Sequence, residues 1–470
     1  MHRCPIARSG RGPITAVRVC RGLSALAFTL LAGCATYRPL PLPAGHGAAS
    51  VGQLSAPLPA RAWLPGHRFD PADGLDVTEL ATLAVANNPD LRSKRDALGV
   101  ARAQAFAAGL LPDPQLDLGA DFPRSNAADL TTGYSAGISA DLGALLTRSS
   151  RVAAARSQAQ QVNLDLLWAE WQTVAQARLL FEQVTTLQAR QVRLQRERDA
   201  VAPLVRQVQA ALRAGNLTHD AASAGLNALA DVRQRLADNA VALHQVEADL
   251  HALLGLAPDA SITLVGPPWQ AEPAPAAVRQ ALDDLPRRRP DLLALQAGYA
   301  SKEAELRGAI RAQFPAITLG FNTARDTSAV YTNGVTLGIT LPLFDRNRGN
   351  IAVATATRQQ LRDDYAARVL ATRTDIQRLT ADLGTLTAAT DAQRRHAGEL
   401  AQARRAAESG WQQGELDWPT YLTIRASALS ADLDRLDLTR QQATASIALT
   451  ALLGSTELTP ASASARVDTP

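Results

Sequence analysis

Cysteine and methionine are almost missing from this chain, which has three Cys and one Met in 470 residues. Cys4, Cys20 and Met1 all fall within the first 33 residues. Once that segment is removed only Cys34 remains, which excludes an internal disulfide, and no thioether is left, which excludes a Met relay for copper or silver. Acids are missing from the same 33 residues, which carry Arg3, Arg8, Arg11, Arg18 and Arg21 and then the mostly apolar run Leu23 to Leu31. That run is too short to span a bilayer. Its placement before Ala32-Gly33-Cys34 reads as a secretory signal over residues 1–33. Removing five of the 48 basic residues and none of the 44 acids leaves a formal balance of −1, so the pI of about 9.2 belongs to the signal. The remaining chain has no charge excess that calls for a nucleic-acid partner. Also missing are a His-Glu-x-x-His helix, a Gly-rich phosphate loop and a Cys pair, so none of these patterns points to an enzyme or a cofactor.

Glycine and proline are scarce where they would break helices. Between Ala144 and Ala214 the only such residue is Pro203, which predicts a rod of roughly 65 residues and about 100 Å at 1.5 Å per residue, kinked at Pro203. A second rod, Asn350 to Ser409, carries Gly384 and no proline, with Gln402 in place of Pro203. Gly215 and Gly414 end the two rods, and return helices follow over Thr218 to Leu254 and Trp418 to Leu453. In the first return helix Leu229, Val232, Leu236, Ala240, Leu243, Val246, Leu250 and Leu253 recur at steps of three and four, a coiled-coil seam.

Each rod is preceded by two segments of strand periodicity. Leu116, Leu118, Ala120 and Phe122 alternate with Gln115, Asp117, Gly119 and Asp121, and Tyr134, Ala136, Ile138, Ala140 and Leu142 with Ser135, Gly137, Ser139 and Asp141. Shifted by 201 positions without a gap, Pro114 meets Pro315, Gly133 meets Gly334, Gly137-Ile138 meets Gly338-Ile339 and Leu142 meets Leu343. Matches in one register mark a duplication. Four strands are expected, near 114–122, 133–142, 315–322 and 334–343, with a polar loop from Thr323 to Asn333. Alternation over about 9 to 11 residues suits tilted membrane strands as well as an ordinary half-buried hairpin, and the signal segment favours the former. The resulting division is a signal at 1–33, an extended arm at 34–74, repeat 1 at 75–256, a Pro-rich linker at 257–280, repeat 2 at 281–455 and a disordered tail at 456–470.

Leu31-Ala-Gly-Cys34 resembles a bacterial lipobox, in which the Cys becomes the acylated first residue. Together with the twofold repeat, Arg288-Arg-Pro-Asp291, Leu341-Pro-Leu-Phe-Asp345 and the paired Leu-Leu-Gly ends at 253–255 and 452–454, it resembles the TolC family of outer-membrane efflux channels. The run Ala300 to Gly349 looks most similar to lipoprotein members that serve heavy-metal pumps of the Czc and Cus type. The resemblance implies a mainly α fold with a membrane β-barrel portion: a homotrimer giving four strands per protomer to a twelve-stranded barrel, continued by a helical tunnel. It also implies an outer-membrane location with lipid attached at Cys34, and partnership with a periplasmic adaptor and an inner-membrane pump of the RND type. Independently, four strands cannot close a barrel and an open edge cannot persist in lipid, so such a sheet must oligomerise.

Candidate periplasmic entrance residues are Asp220, Glu415, Asp417, Thr420 and Thr423, and candidate barrel-lumen residues are Asp117, Asp121 and Asp141. The acids that some relatives carry six and nine places after the second hairpin Gly are replaced here by Thr420 and Thr423, which puts that selectivity ring in doubt. Asp417 before Trp418-Pro419 equally suits a helix N-cap. His244, Glu247 and His251 share a helix face at metal-compatible spacing, although such a face is more often simply solvated. The competing reading of the whole chain is a lipid-anchored periplasmic coiled-coil scaffold without a pore.

Overall fold

The structure is a computed structural model that describes residues 37–42, 45, 47–54, 73–124, 130–267 and 273–454, without the side chains of 220 and 221. The signal segment, Cys34 and the tail lie outside the described residues. The chain divides into two units, Met1–His46 and Gly47–Pro470. Of the first, Tyr37, Leu40 and Leu42 are described and exposed.

In the second unit the helices are α1 (Val77–Asn87), α2 (Pro89–Gly109), α3 (Gly143–Arg213), α4 (His219–Leu254), α5 (Pro275–Arg288), α6 (Pro290–Arg311), α7 (Arg348–Gln412) and α8 (Trp418–Leu453). The strands are β1 (Gln115–Asp121), β2 (Gly133–Asp141), β3 (Ala316–Arg325) and β4 (Tyr331–Thr340). At 71 residues, α3 extends about 107 Å and runs through Pro203. The linker is shorter than its composition suggests, because Pro275 starts α5 at a position where a missing N–H costs nothing.

The repeat is visible in the way helices are capped and clasped. Asp76 Oδ1 accepts from Thr78 N at 2.7 Å and Glu79 N at 2.8 Å while Glu79 Oε2 accepts from Asp76 N, a reciprocal capping box that starts α1. Asn88 caps α2 and donates through Nδ2 to Leu253 O at 3.0 Å. Its counterpart Arg289 reaches the equivalent Leu452 O at 3.3 Å, so the same loop clamps the end of the return helix in both repeats. Each repeat also keeps its own apolar cluster. One gathers Leu80, Leu83, Phe181, Val184, Leu250 and Leu254, the other Leu285, Leu292, Ile376, Leu383, Leu449 and Leu453. A third, smaller cluster joins the two hairpins near their tips through Val201, Val205, Leu229 and Leu422.

The strands form one antiparallel sheet in the order β1-β2-β3-β4. The register places Leu116 opposite Ile138, Ile138 opposite Phe321 and Phe321 opposite Val335, so the apolar positions of all four strands share one face. Asp117, Gly137, Asn322 and Gly334 form an equivalent row on the other face. The second hairpin differs from expectation. Thr323 pairs with Asn333 and Arg325 with Tyr331, and the turn is only Asp326 to Val330, held by Asp326 Oδ1 accepting from Ser328 N and Val330 N at 2.9 Å. At its other end β4 stops at Thr340 rather than near 343, because Pro342 brings no N–H to continue the ladder.

Candidate functional site

The sheet is the first part of the site. Leu118 is 74% exposed, Val335 75% and Leu337 60%, so the apolar face lies uncovered in the single chain. A soluble domain would bury such a face, and a contiguous apolar surface of this kind marks contact with lipid or partner. No helix among the described residues is long and apolar enough to cross a membrane. Asp117 and Asp121 stand exposed on the opposite face. Asp141 is placed differently from its neighbours, since its Oδ1 accepts from Gly143 N at 2.8 Å and tethers the start of α3. β1 and β4 each keep one unpaired edge.

The helical hairpin tips are the second part. Gly215 and Gly414 take φ of 74° and 76°, the left-handed conformation that lets each chain reverse without a Cβ clash. The structure gathers Glu415, Asp417, Thr420 and Thr423 as exposed groups at one tip. Asp417 is a cap, its Oδ1 accepting from Thr420 N at 2.9 Å. Hydrogen bonding from Thr420 holds the Asp417 carboxyl below its ordinary range, so it is charged at neutral pH. Thr423 Oγ1 donates to Pro419 O at 2.9 Å. Asp220 lies in the first turn of α4, and its side chain is outside the described part.

Sequence reasoning missed the brace that joins the hairpins. Arg425 on α8, 5% exposed, donates in two-pronged fashion to Glu197 on α3 at 3.0 and 2.8 Å, and also to Tyr421 Oη at 2.7 Å and Glu408 on α7 at 3.2 Å. Burial alone would lower the Arg425 pKa, but the Glu197 carboxylate outweighs it and the net shift is upward. Tyr421 stacks on Trp411 at 5.9 Å between ring centres. The i, i+4 spacing of Tyr421 and Arg425 was a readable signal for half of this brace. Glu197, 228 residues away, gave none.

His244, Glu247 and His251 do not converge. His244 Nδ1 lies 3.7 Å from Glu247, whereas His251 Nε2 is turned to the carbonyl of Ala260 at 2.7 Å. Among the described residues no group of three or more His, Cys, Asp or Glu stands together as a metal site.

The described residues form an open four-stranded sheet with one apolar and one polar face, borne on helical hairpins whose longer helices have 71 and 65 residues. Residues 281–455 match the outer membrane efflux protein family. The pyoverdine export outer membrane protein OpmQ of Pseudomonas putida is 28% identical, with 91% of this chain and 96% of that protein covered. Among solved structures, CusC superposes with a TM-score of 0.68 at 20% identity, covering 90% of this chain and 99% of that one. The open state of the Neisseria gonorrhoeae MtrE outer membrane channel gives 0.67 at 20% identity, covering 80% and 88%.

Proposed function

We propose that this chain is the outer-membrane conduit of a tripartite export system. Three copies close their sheets into one twelve-stranded barrel, the helices prolong the bore into the periplasm, and an adaptor with an inner-membrane RND-type pump delivers cargo to the hairpin tips. The observation that carries this reading is the sheet, with a continuous exposed apolar face, a polar face and two unpaired edges. Unpaired edges are not tolerated in lipid, whereas closure among copies removes them and turns the polar face into a lumen lining. A pore-free scaffold would have no use for such a sheet. Purified protein in a planar bilayer is expected to give discrete conductance steps, and silence from trimeric protein would favour the scaffold.

Cys34 is the proposed lipid attachment, fixing the amino terminus at the outer membrane. Mass spectrometry of the native protein should find an acylated Cys34 as first residue, and an unmodified terminus elsewhere would contradict this. As to cargo, the likeness to a pyoverdine export protein supports cargo of the pyoverdine kind, while the resemblance of residues 300–349 to metal-pump members supports heavy-metal cations. With no Met after the signal and no metal cluster among the described residues, selection between them falls to pump and adaptor.

At the entrance, threefold symmetry would bring three copies of Glu415 and Asp417 into a ring of up to six carboxylates, where divalent cations bind well. Conductance is then expected to be cation-selective and blocked by added divalents. Glu415→Gln with Asp417→Asn keeps the acceptor that caps Thr420 N while removing charge. Reversal-potential and block measurements should show both properties weakened in this variant. If they are unchanged, the acids serve only as caps and the filter lies at Asp117 and Asp121 in the barrel.

A further inference from the structure

We infer that Arg325, set between Tyr134 and Tyr331 on the apolar face of the sheet, binds the phosphate of a lipid headgroup in the outer leaflet. This rests on the barrel proposed above and adds a ligand to its outer wall. The register carries one cross-strand row through Ala120, Tyr134, Arg325 and Tyr331, on the same face as Leu118, Phe321 and Val335. Among the strand residues of that face Arg325 alone is charged. The neighbouring row toward the helices carries Thr323 and Asn333, and beyond it the face is wholly apolar.

The row lies at the height where headgroups begin. β2 and β4 run from it toward α3 and α7, so it stands at the end of the sheet away from the helices. Tyr331 is ten residues from Leu341, the first residue past β4. That separation is about 34 Å of strand at 3.4 Å per residue, and a tilt of about 35 to 45° turns it into a rise near the roughly 25 Å of the apolar band on such a barrel. Tyrosine collects at this boundary because its ring is apolar and its hydroxyl polar. An Arg on a lipid face is costly at the midplane and tolerated at the interfaces, which is where Arg325 stands. The repeat agrees on the height. At the shift of 201 Arg325 meets Arg124, exposed beyond the end of β1, while Tyr331 meets Leu130. A cation occupies this level in both repeats, and the second sets tyrosine beside it.

Nothing among the described residues satisfies the Arg325 guanidinium. It has no hydrogen bond or ion pair there, and its Nε is buried without an acceptor. Its Cζ lies 5.8 Å from the centre of the Tyr331 ring, a cation over an aromatic face that fixes the group on the outer side of the sheet. The adjacent acid, Asp326, is committed to its own turn through Ser328 N and Val330 N, and Asp117, Asp121 and Asp141 belong to the opposite face. The two terminal nitrogens are left for a ligand from outside the chain. A guanidinium offers a phosphate two parallel N–H donors. Tyr134 and Tyr331, 57% and 77% exposed, add a hydroxyl on either side. The acyl chains of the same lipid run down the apolar rows, over Phe321 and Val335.

The test uses the full-length trimer, purified in detergent and freed of lipid, with two probes: a diphosphorylated disaccharide lipid of the outer leaflet, and the same lipid with its phosphates removed. Native mass spectrometry over a titration counts what is bound. The wild type should hold the phosphorylated form about tenfold more tightly than the dephosphorylated one. Arg325→Gln should bring the two within about twofold, and Arg325→Lys, which keeps a point charge and loses the fork, should retain part of the preference. Arg124→Gln, with Leu130 where Tyr331 would stand, should keep the wild-type preference to within about twofold. Equal binding of the two lipids by the wild type, or an unchanged preference in Arg325→Gln, overturns the site. An equal loss in Arg124→Gln would replace it with a diffuse belt of charge, and release of the lipid by millimolar inorganic phosphate would assign the guanidinium to the free ion instead. The mass of the protein keeps the two levels apart: a trimer that lacks the preference refutes this site alone, whereas a chain that stays monomeric refutes the barrel on which it rests.

Discussion

Leu118→Arg and Ile339→Arg should each abolish accumulation of assembled protein in the outer membrane, while Asp117→Asn leaves it at the wild-type level. Leu118 and Ile339 lie on the continuous apolar face, 74% and 52% exposed in the single chain, and Asp117 lies on the opposite face, one residue from Leu118. An Arg at the bilayer midplane on the lipid side of a barrel costs about 2 to 4 kcal/mol, and three copies meet that cost together. A lumen residue contacts water in either form, so the Asn variant changes lining charge and little else. The measurement is the trimer content of purified outer membranes, with total synthesis as the reference. Equal trimer content for all three variants would mean that the apolar face meets protein instead of lipid.

The face assignment on which this test depends was readable in the sequence because strand periodicity is strict. Once Leu116, Leu118 and Ala120 alternate with Asp117, Gly119 and Asp121, one register decision orients the whole strand. The 201-residue repeat then carried the decision to the second hairpin. Reading failed where polar residues continue a strand. Thr323 and Asn333 look like loop residues, yet they face each other across β3 and β4, because a polar cross-strand pair near a hairpin end is as pairable as an apolar one. Asp141 shows another limit. Its alternation put it on the lumen face with Asp117, but the helix that starts two residues later supplies an unsatisfied N–H, and the carboxylate turns to it. The tip brace was illegible for a third reason. Arg425 and Glu197 meet only because two long helices run side by side, and the spacing that brings them together is set by every turn between them. His251 shared a face with His244 and Glu247 by spacing, and its ring is instead turned to a carbonyl nine residues along the chain, Ala260 O.

Arg289→Ala should lower the stability of the folded chain by about 3 to 5 kcal/mol, the range for breaking a buried ion pair by removing one partner. Arg289 is 1% exposed, donates to both oxygens of Asp291 at 2.9 and 2.7 Å, reaches Leu452 O and lies 4.8 Å over the Trp168 ring. It therefore ties the start of α6 to the end of α8 and to α3 of the other repeat. Loss of its side chain leaves a void and a buried carboxylate whose remaining cation is Arg368, at 2.9 Å. Arg289→Lys should recover only part of the loss, because an ammonium cannot make the two-pronged bond and stacks poorly on the indole. Burial alone would raise the Asp291 carboxyl, but the bonds from Arg289 and then Arg368 outweigh it and hold the pKa below its ordinary 3.8. A carboxyl depressed in the folded state adds stability that is fully present above its unfolded value near pH 4 and is lost as pH falls through the folded value. The wild-type chain should thus lose a stabilising contribution below pH 4 that Asp291→Asn, lacking the titrating group, does not lose. Thermal unfolding of detergent-solubilised protein between pH 3 and pH 7 measures both effects. Parallel curves for wild type and Asp291→Asn across that interval would show that the pair holds geometry without contributing to acid sensitivity, and an Arg289→Ala unfolding temperature equal to wild type would remove it from the core altogether.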